Sequence, residues 1–122
     1  MMHPDLQIVF DYFAEVEIAI IGSAAWNYDD ANDIDVVFLA DADFPLIVVQ
    51  HELTYCGWDR KGVHVRRTLT PLWVEGVERP IQLSQLSSMK DFADHPYEVL
   101  LRDGTRLNPG KHFNKEYAVK QR

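Results

Sequence analysis

The sequence has a single cysteine, Cys56, in 122 residues. No internal disulfide can form within it, and a reducing, cytoplasmic setting is expected. Basic side chains are scarce: 12 Lys and Arg stand against 19 Asp and Glu, for a net charge of −7. An acidic surface repels nucleic acid and anionic membranes, so a broad nucleic-acid-binding surface is not expected, although a local basic groove remains open. No stretch approaches ~18 uninterrupted apolar residues, and no membrane span is expected. The opening MMHPDLQ lacks the basic region and long apolar run of a secretory signal. No repeat, low-complexity segment or Gly/Ser/Pro linker divides the chain. The five histidines are scattered, without the paired spacing of a zinc site. No P-loop, Rossmann fingerprint or nucleophile elbow is present.

What remains is an ordinary globular balance, with 47 % apolar and 25 % charged residues. The length suits one domain over residues 1–122, with a C-terminal hairpin and tail from about residue 95. Leu6, Val9, Phe10 and Phe13 fall at helical spacing in residues 4–15, with Pro4 at a tolerated first position. Val16 to Ile21 reads as a short strand ended by Gly22-Ser23. Ser23 to Tyr28 reads as a short helix with Ser23 near its N-cap, and Asp29 to Asn32 as turn. Ile34 to Leu39 is continuously apolar apart from Asp35, as expected of a strand buried on both faces.

A further helix is expected from about Asp43 to Tyr55, with Cys56 near its end as a packing residue and Gly57 beyond it. Val63–Leu69, Leu72–Val77 and Pro80–Leu86 then read as strands, the last two as a hairpin across Gly76–Pro80. Trp58 and Trp73 read as core or sheet-face residues. Ser87–Asp94 is a loop or short helix, Asp103-Gly104 a hairpin turn, and the tail from Asn108 is polar and free to fray. The order predicts an α/β (α+β) domain: a small mixed sheet with helices mainly on one face.

Asp33 and Asp35 are the unusual residues. Alternation along a strand puts them on one face, about 7 Å apart, where they repel each other. A divalent cation relieves that repulsion, and hard carboxylate oxygens suit Mg²⁺ or Mn²⁺, which take phosphate oxygens as further ligands. Gly22-Ser23 fits beside them. A glycine after a strand lets a ligand approach the backbone, the N–H groups that follow favour an anion, and Ser23 Oγ adds a donor.

Ile20-Ile21-Gly22-Ser23, the spacer Ala24–Asn32, then Asp33-Ile34-Asp35-Val36, in the order strand, Gly-Ser, helix, turn, strand, resembles the nucleotidyltransferase superfamily with the DNA polymerase β-like fold. The likeness covers about residues 4–86. It implies transfer of a nucleoside monophosphate from an NTP to a hydroxyl or phosphate acceptor on a protein, an RNA end or a small molecule. By matched position it implies Asp33 and Asp35 as catalytic metal ligands for Mg²⁺ or Mn²⁺, and Gly22 and Ser23 as the β/γ-phosphate cradle. Active members carry a third carboxylate on a later strand, and the matching position here is Gln82. Glu75 on the expected hairpin partner is the better substitute acid, ahead of Asp91.

Arg60, Lys61, His64, Arg66 and Arg67 form the basic cluster. These are either edge-strand charges that deter aggregation or, for His64 and Arg66 on one strand face, contacts to the triphosphate or an acidic acceptor. Trp26 and Tyr28 are packing residues or a stacking platform for a base. So short a chain leaves little room to bind an acceptor, so a protein partner or a homodimer is expected to help. The alternative is a degenerate member that serves as a protein-binding module or inhibitor.

Overall fold

The computed structural model describes residues 2–39, 55–58, 64–67, 71–86 and 89–112, the segments 55–58 and 64–67 by their backbone alone. Helix α1 spans Pro4–Tyr12. Pro4 occupies the first turn, where its missing N–H is no loss, and His3 Nδ1 caps the helix by accepting from the Asp5 amide at 3.1 Å. Leu6, Val9 and Phe10 line its buried face. Phe13, just past its end, meets Phe38 edge-on at 6.0 Å. Each such fully buried side chain contributes about 1.5–3 kcal/mol.

The strands are β1 (Ala19–Ile21), β2 (Ile34–Leu39), β3 (Tyr55–Trp58), β4 (His64–Arg67), β5 (Ile81–Leu86), β6 (Val99–Leu101) and β7 (Arg106–Leu107). They form one mixed sheet in the order β3-β4-β5-β2-β1-β6-β7. β2 and β5 run parallel, and the other neighbours are antiparallel. A second short helix, α2, covers Ser23–Trp26. The result is a small α+β fold. Ile20, Ile34, Val36, Phe38, Ile81, Leu83 and Leu100 pack on one face with α1 and with Ala24 and Ala25 of α2. On the other face Ala19, Val37, Leu86 and Val99 pack with Met89 and Phe92. No helix among the described residues is long and apolar enough to cross a membrane.

Several expectations are corrected. The strand expected over 16–21 is confined to Ala19–Ile21, because the chain before it turns back, with the Val16 amide donating to Phe13 O at 3.1 Å. Ser23 is not a side-chain cap; Gly22 holds that position, and the helix breaks at Asn27 before a 3₁₀ turn over Tyr28–Asp30. The strand expected over 72–77 shrinks to one antiparallel bridge, Leu72 with Ile81. Beyond it the chain turns, the Val77 amide donating to Val74 O at 3.1 Å with Gly76 at φ +88°. Trp73 is no core residue, being 63 % exposed. Tyr55 and Cys56, where the end of the helix from about Asp43 is expected, belong to strand β3 and pair with β4. The rest of that expected helix lies outside the described residues. The Asp103-Gly104 hairpin forms as expected, joining β6 to β7, with the Thr105 amide donating to Asp103 Oδ1 at 2.9 Å.

Two long-range polar anchors hold the helices. Arg102 donates to the carbonyls of Phe10, Phe13 (3.0 Å) and Val16 (2.9 Å). A guanidinium thus satisfies carbonyls that the end of α1 leaves orphaned, and complements its dipole. Glu98 is buried and accepts from Arg106 at 2.7 Å and from the Gly110 amide at 2.7 Å, with His112 Nε2 at 3.1 Å. Arg106 also donates to Ala25 O, and the His112 ring stacks on Trp26 at 3.9 Å. Residues 108–112 are therefore not a frayed tail; they tie α2 to the sheet edge.

Burial by itself raises the Glu98 pKa, but the Gly110 amide, His112 and Arg106 outweigh it and hold the carboxyl below its ordinary value of 4.5. A carboxyl with a depressed folded pKa contributes stability that is fully present above the ordinary value and lost as pH falls through the lowered one. Glu98→Gln is expected to cost about 2 kcal/mol at pH 7. It should also flatten the loss of stability below about pH 4.5, as read by urea unfolding across pH 3–7.

Candidate functional site

The site begins where β1 ends. Gly22 has φ +72° and ψ −163°, a region open essentially to glycine alone. A methyl carbon at position 22 would stand 2.8 Å from Asp35 Oδ2, inside van der Waals contact. β1 and β2 are antiparallel with Ile21 opposite Asp35, so the residue that leaves β1 lies against this carboxylate. Two elements separated by a spacer in the sequence therefore share one locus. Ser23 follows directly, half-buried, as the first residue of α2.

The two aspartates differ in setting. Asp35 lies within β2 and is half-buried, whereas Asp33 sits exposed in the bend just before the strand. Asp33 is carried by a loop that Arg79 organises. Its Nε donates to Ala31 O at 2.6 Å and its guanidinium reaches Asp29 O at 3.4 Å. The same guanidinium lies 4.1 Å above the Tyr28 ring, and His3 also stacks on that ring, at 4.0 Å. The Tyr28 hydroxyl donates to Asp5 Oδ2 at 2.5 Å. Burial and that bond push the phenol up to about 12. Tyr28 is thus a buried packing residue, and Trp26, 41 % exposed and stacked on His112, covers the far side of α2.

Gln82 is the in-register partner of Asp35 across the parallel β2–β5 pair, and it is half-buried rather than solvent-facing. The Ile34 amide donates to Pro80 O at 2.9 Å and fixes that register at the strand entrance. Glu75 is not brought to this place. Leu72 bridges Ile81, and each step from Leu72 toward Glu75 leads away from Gln82, to an exposed turn whose Gly76 packs near Ile8 of α1. Asp91 caps the 3₁₀ turn over Phe92–Asp94 through the Ala93 amide at 2.8 Å. On β4, Arg66 pairs with Gln85 and Arg67 with Ser84. Gln82 and Ser84 share the Asp35 face of β5, so position 67 joins that face and positions 64 and 66 fall on the other.

Among the described residues no group of three or more His, Cys, Asp or Glu side chains is arranged to hold a metal ion. The donors at hand are Asp33 and Asp35. That set suits an ion such as Mg²⁺, which keeps its waters and binds through one or two carboxylates plus substrate phosphates. Arg79 and Arg102 went unnoticed in the sequence because their contacts are remote: Arg79 and Ala31 are 48 positions apart and Arg102 and Phe10 are 92 apart.

The chain shows no significant match to any protein-family model, to any curated protein or to any solved structure.

Gly22→Ala tests the close approach. It is expected to destabilise the fold by about 1–3 kcal/mol from backbone strain alone, with the contact on Asp35 added. In Asp35→Ala the contact partner is gone, so the cost of Gly22→Ala should shrink by at least about 0.5 kcal/mol in a double-mutant cycle. Strict additivity of the two would mean that the two positions do not touch.

Proposed function

We propose that this chain is a small metal-dependent nucleotidyltransferase that moves a nucleoside monophosphate from an NTP to a hydroxyl or phosphate acceptor. The observation that carries the reading is the contact of Gly22 with Asp35, which joins the Gly-Ser turn and the acidic strand into one locus. Gly22 and Ser23 would take the β- and γ-phosphates through backbone N–H groups and Ser23 Oγ. Asp33 and Asp35 would hold Mg²⁺ or Mn²⁺, which when bound neutralises the triphosphate and the charge that develops on the leaving pyrophosphate. Asp35, set in the sheet, orients the site, and Asp33, on its exposed bend, sits at the rim. The acceptor surface would come in part from a partner protein or a second copy of the chain.

A second reading is a degenerate nucleotidyltransferase-like domain that acts as a protein-binding module or inhibitor without transferring anything. The pairing of Gln82 with Asp35 favours it, because a neutral amide is a poor metal ligand and no base.

Thermal unfolding with each of the four NTPs, in Mg²⁺, Mn²⁺ or EDTA, separates the two. A ligand that binds the folded state raises the midpoint, and at a hundred times its Kd it adds about 2.7 kcal/mol. The transferase reading predicts a metal-dependent rise of several degrees with at least one NTP, abolished in Asp35→Asn while the far-ultraviolet circular dichroism stays unchanged. No shift at millimolar NTP with either metal would overturn it in favour of the binding module.

A further inference from the structure

The bend that carries Asp33 is held at both ends by neighbouring residues of one segment. Asn32 and Asp33 form the bend, between Ala31 and Ile34, the first residue of β2. Before it, Arg79 Nε donates to Ala31 O at 2.6 Å, and the same guanidinium reaches Asp29 O at 3.4 Å. After it, the Ile34 amide donates to Pro80 O at 2.9 Å. The proline also disfavours the helical region for Arg79 and so limits the backbone from which the clamp extends.

The guanidinium is itself fixed. It lies 4.1 Å above the Tyr28 ring, and the Tyr28 hydroxyl donates to Asp5 Oδ2, which joins the clamp to α1. A planar guanidinium can stack on a ring and donate in its own plane at the same time. Its bonds go to carbonyl oxygens and not to a carboxylate, so Arg79 places Asp33 without pairing with it.

An exposed side chain on a loose bend samples many directions, and a metal that takes it as a ligand must bear the cost of ordering it. Mg²⁺ tolerates little departure from octahedral geometry at about 2.0–2.1 Å. A bend clamped at both ends presents its carboxylate already in place. Groups that orient a ligand from outside the coordination sphere typically account for about 10–100-fold in metal affinity.

We infer that Arg79 is a positioning residue for the metal: it fixes the Asn32–Asp33 bend, and through it the affinity of Asp33 and Asp35 for Mg²⁺ or Mn²⁺. The inference rests on the transferase reading above, because it takes Asp33 as a ligand. Its sign is distinctive. Removing a cation near a divalent-ion site strengthens metal binding by Coulomb's law alone. Loss of positioning weakens it.

The test follows thermal unfolding of the full chain with Mn²⁺ and each NTP in equal amounts over a range of concentrations, against EDTA controls. The Kd for the Mn²⁺–NTP complex is read from the growth of the midpoint rise with concentration. In Arg79→Gln that Kd is expected to increase about tenfold or more. Arg102→Gln removes the comparable carbonyl clamp at the end of α1. It should lower the midpoint in EDTA and leave the Kd unchanged. Arg79→Lys keeps the charge but not the fork that spans two carbonyls, so its Kd should fall between those of the parent and Arg79→Gln. It carries the test if Arg79→Gln does not fold. An unchanged or lower Kd in the Arg79 variants would overturn the inference. So would an equal increase in Arg102→Gln, which would trace the effect to a general loosening of the fold. Absence of any metal-dependent rise in the parent chain is a different result, and it removes the transferase reading itself.

Discussion

The approach of Gly22 to Asp35 is the constraint on which the candidate site depends. It requires that residue 22 have no side chain, because a Cβ there would stand only 2.8 Å from the nearest carboxylate oxygen. It also requires the backbone at 22 to adopt φ +72° and ψ −163°, which L side chains scarcely reach. Both demands select glycine, and both act at the point where β1 gives way to α2. The turn cannot move without moving the carboxylate's surroundings, and the register of β1 with β2 cannot slip without breaking the contact. A chemical arrangement and a packing arrangement are here the same arrangement.

The rest of the molecule holds that locus from three sides. Arg102, at the end of the C-terminal hairpin's first strand, fastens the end of α1 to the sheet. Glu98 and Arg106 fasten α2, and the stacked pair Trp26–His112 closes over it. Arg79 fastens the loop that carries Asp33. In an acidic chain each of these positions uses a charged hydrogen bond to backbone or to a buried carboxylate, which is worth more than an exposed ion pair. A four-residue helix has little stability of its own, so anchors from distant strands are what keep α2 in place.

Much of this was legible in the sequence where the pattern was local. β2 was readable with its observed bounds, because a continuous apolar run between polar flanks is what burial on both faces demands. Leu72 and Val74 are buried and Trp73 and Glu75 exposed, the alternation of a strand. Pairing nevertheless stops after one bridge, because Gly76 turns the chain at positive φ. The placement of Cys56 and the anchoring roles of Glu98 and Arg102 were not readable. Arg102 depends on carbonyls 86 to 92 residues away, and Cys56 and Glu98 on partners 8 to 14 residues away whose pairing no local pattern announces. For the site, the motif and its resemblance grouped Gly22, Ser23, the aspartates and the position of Gln82, and the register then set Gln82 opposite Asp35 and took Glu75 away from it.

The measurement that bears most directly on the central claim is anomalous diffraction from crystals of the full chain grown with Mn²⁺ and a non-hydrolysable NTP analogue. The account predicts a manganese peak about 2.1 Å from an Asp35 carboxylate oxygen, with the triphosphate lying against the Gly22 and Ser23 amides. A manganese peak remote from Asp35, or an analogue bound away from the Gly22–Ser23 turn, would contradict it.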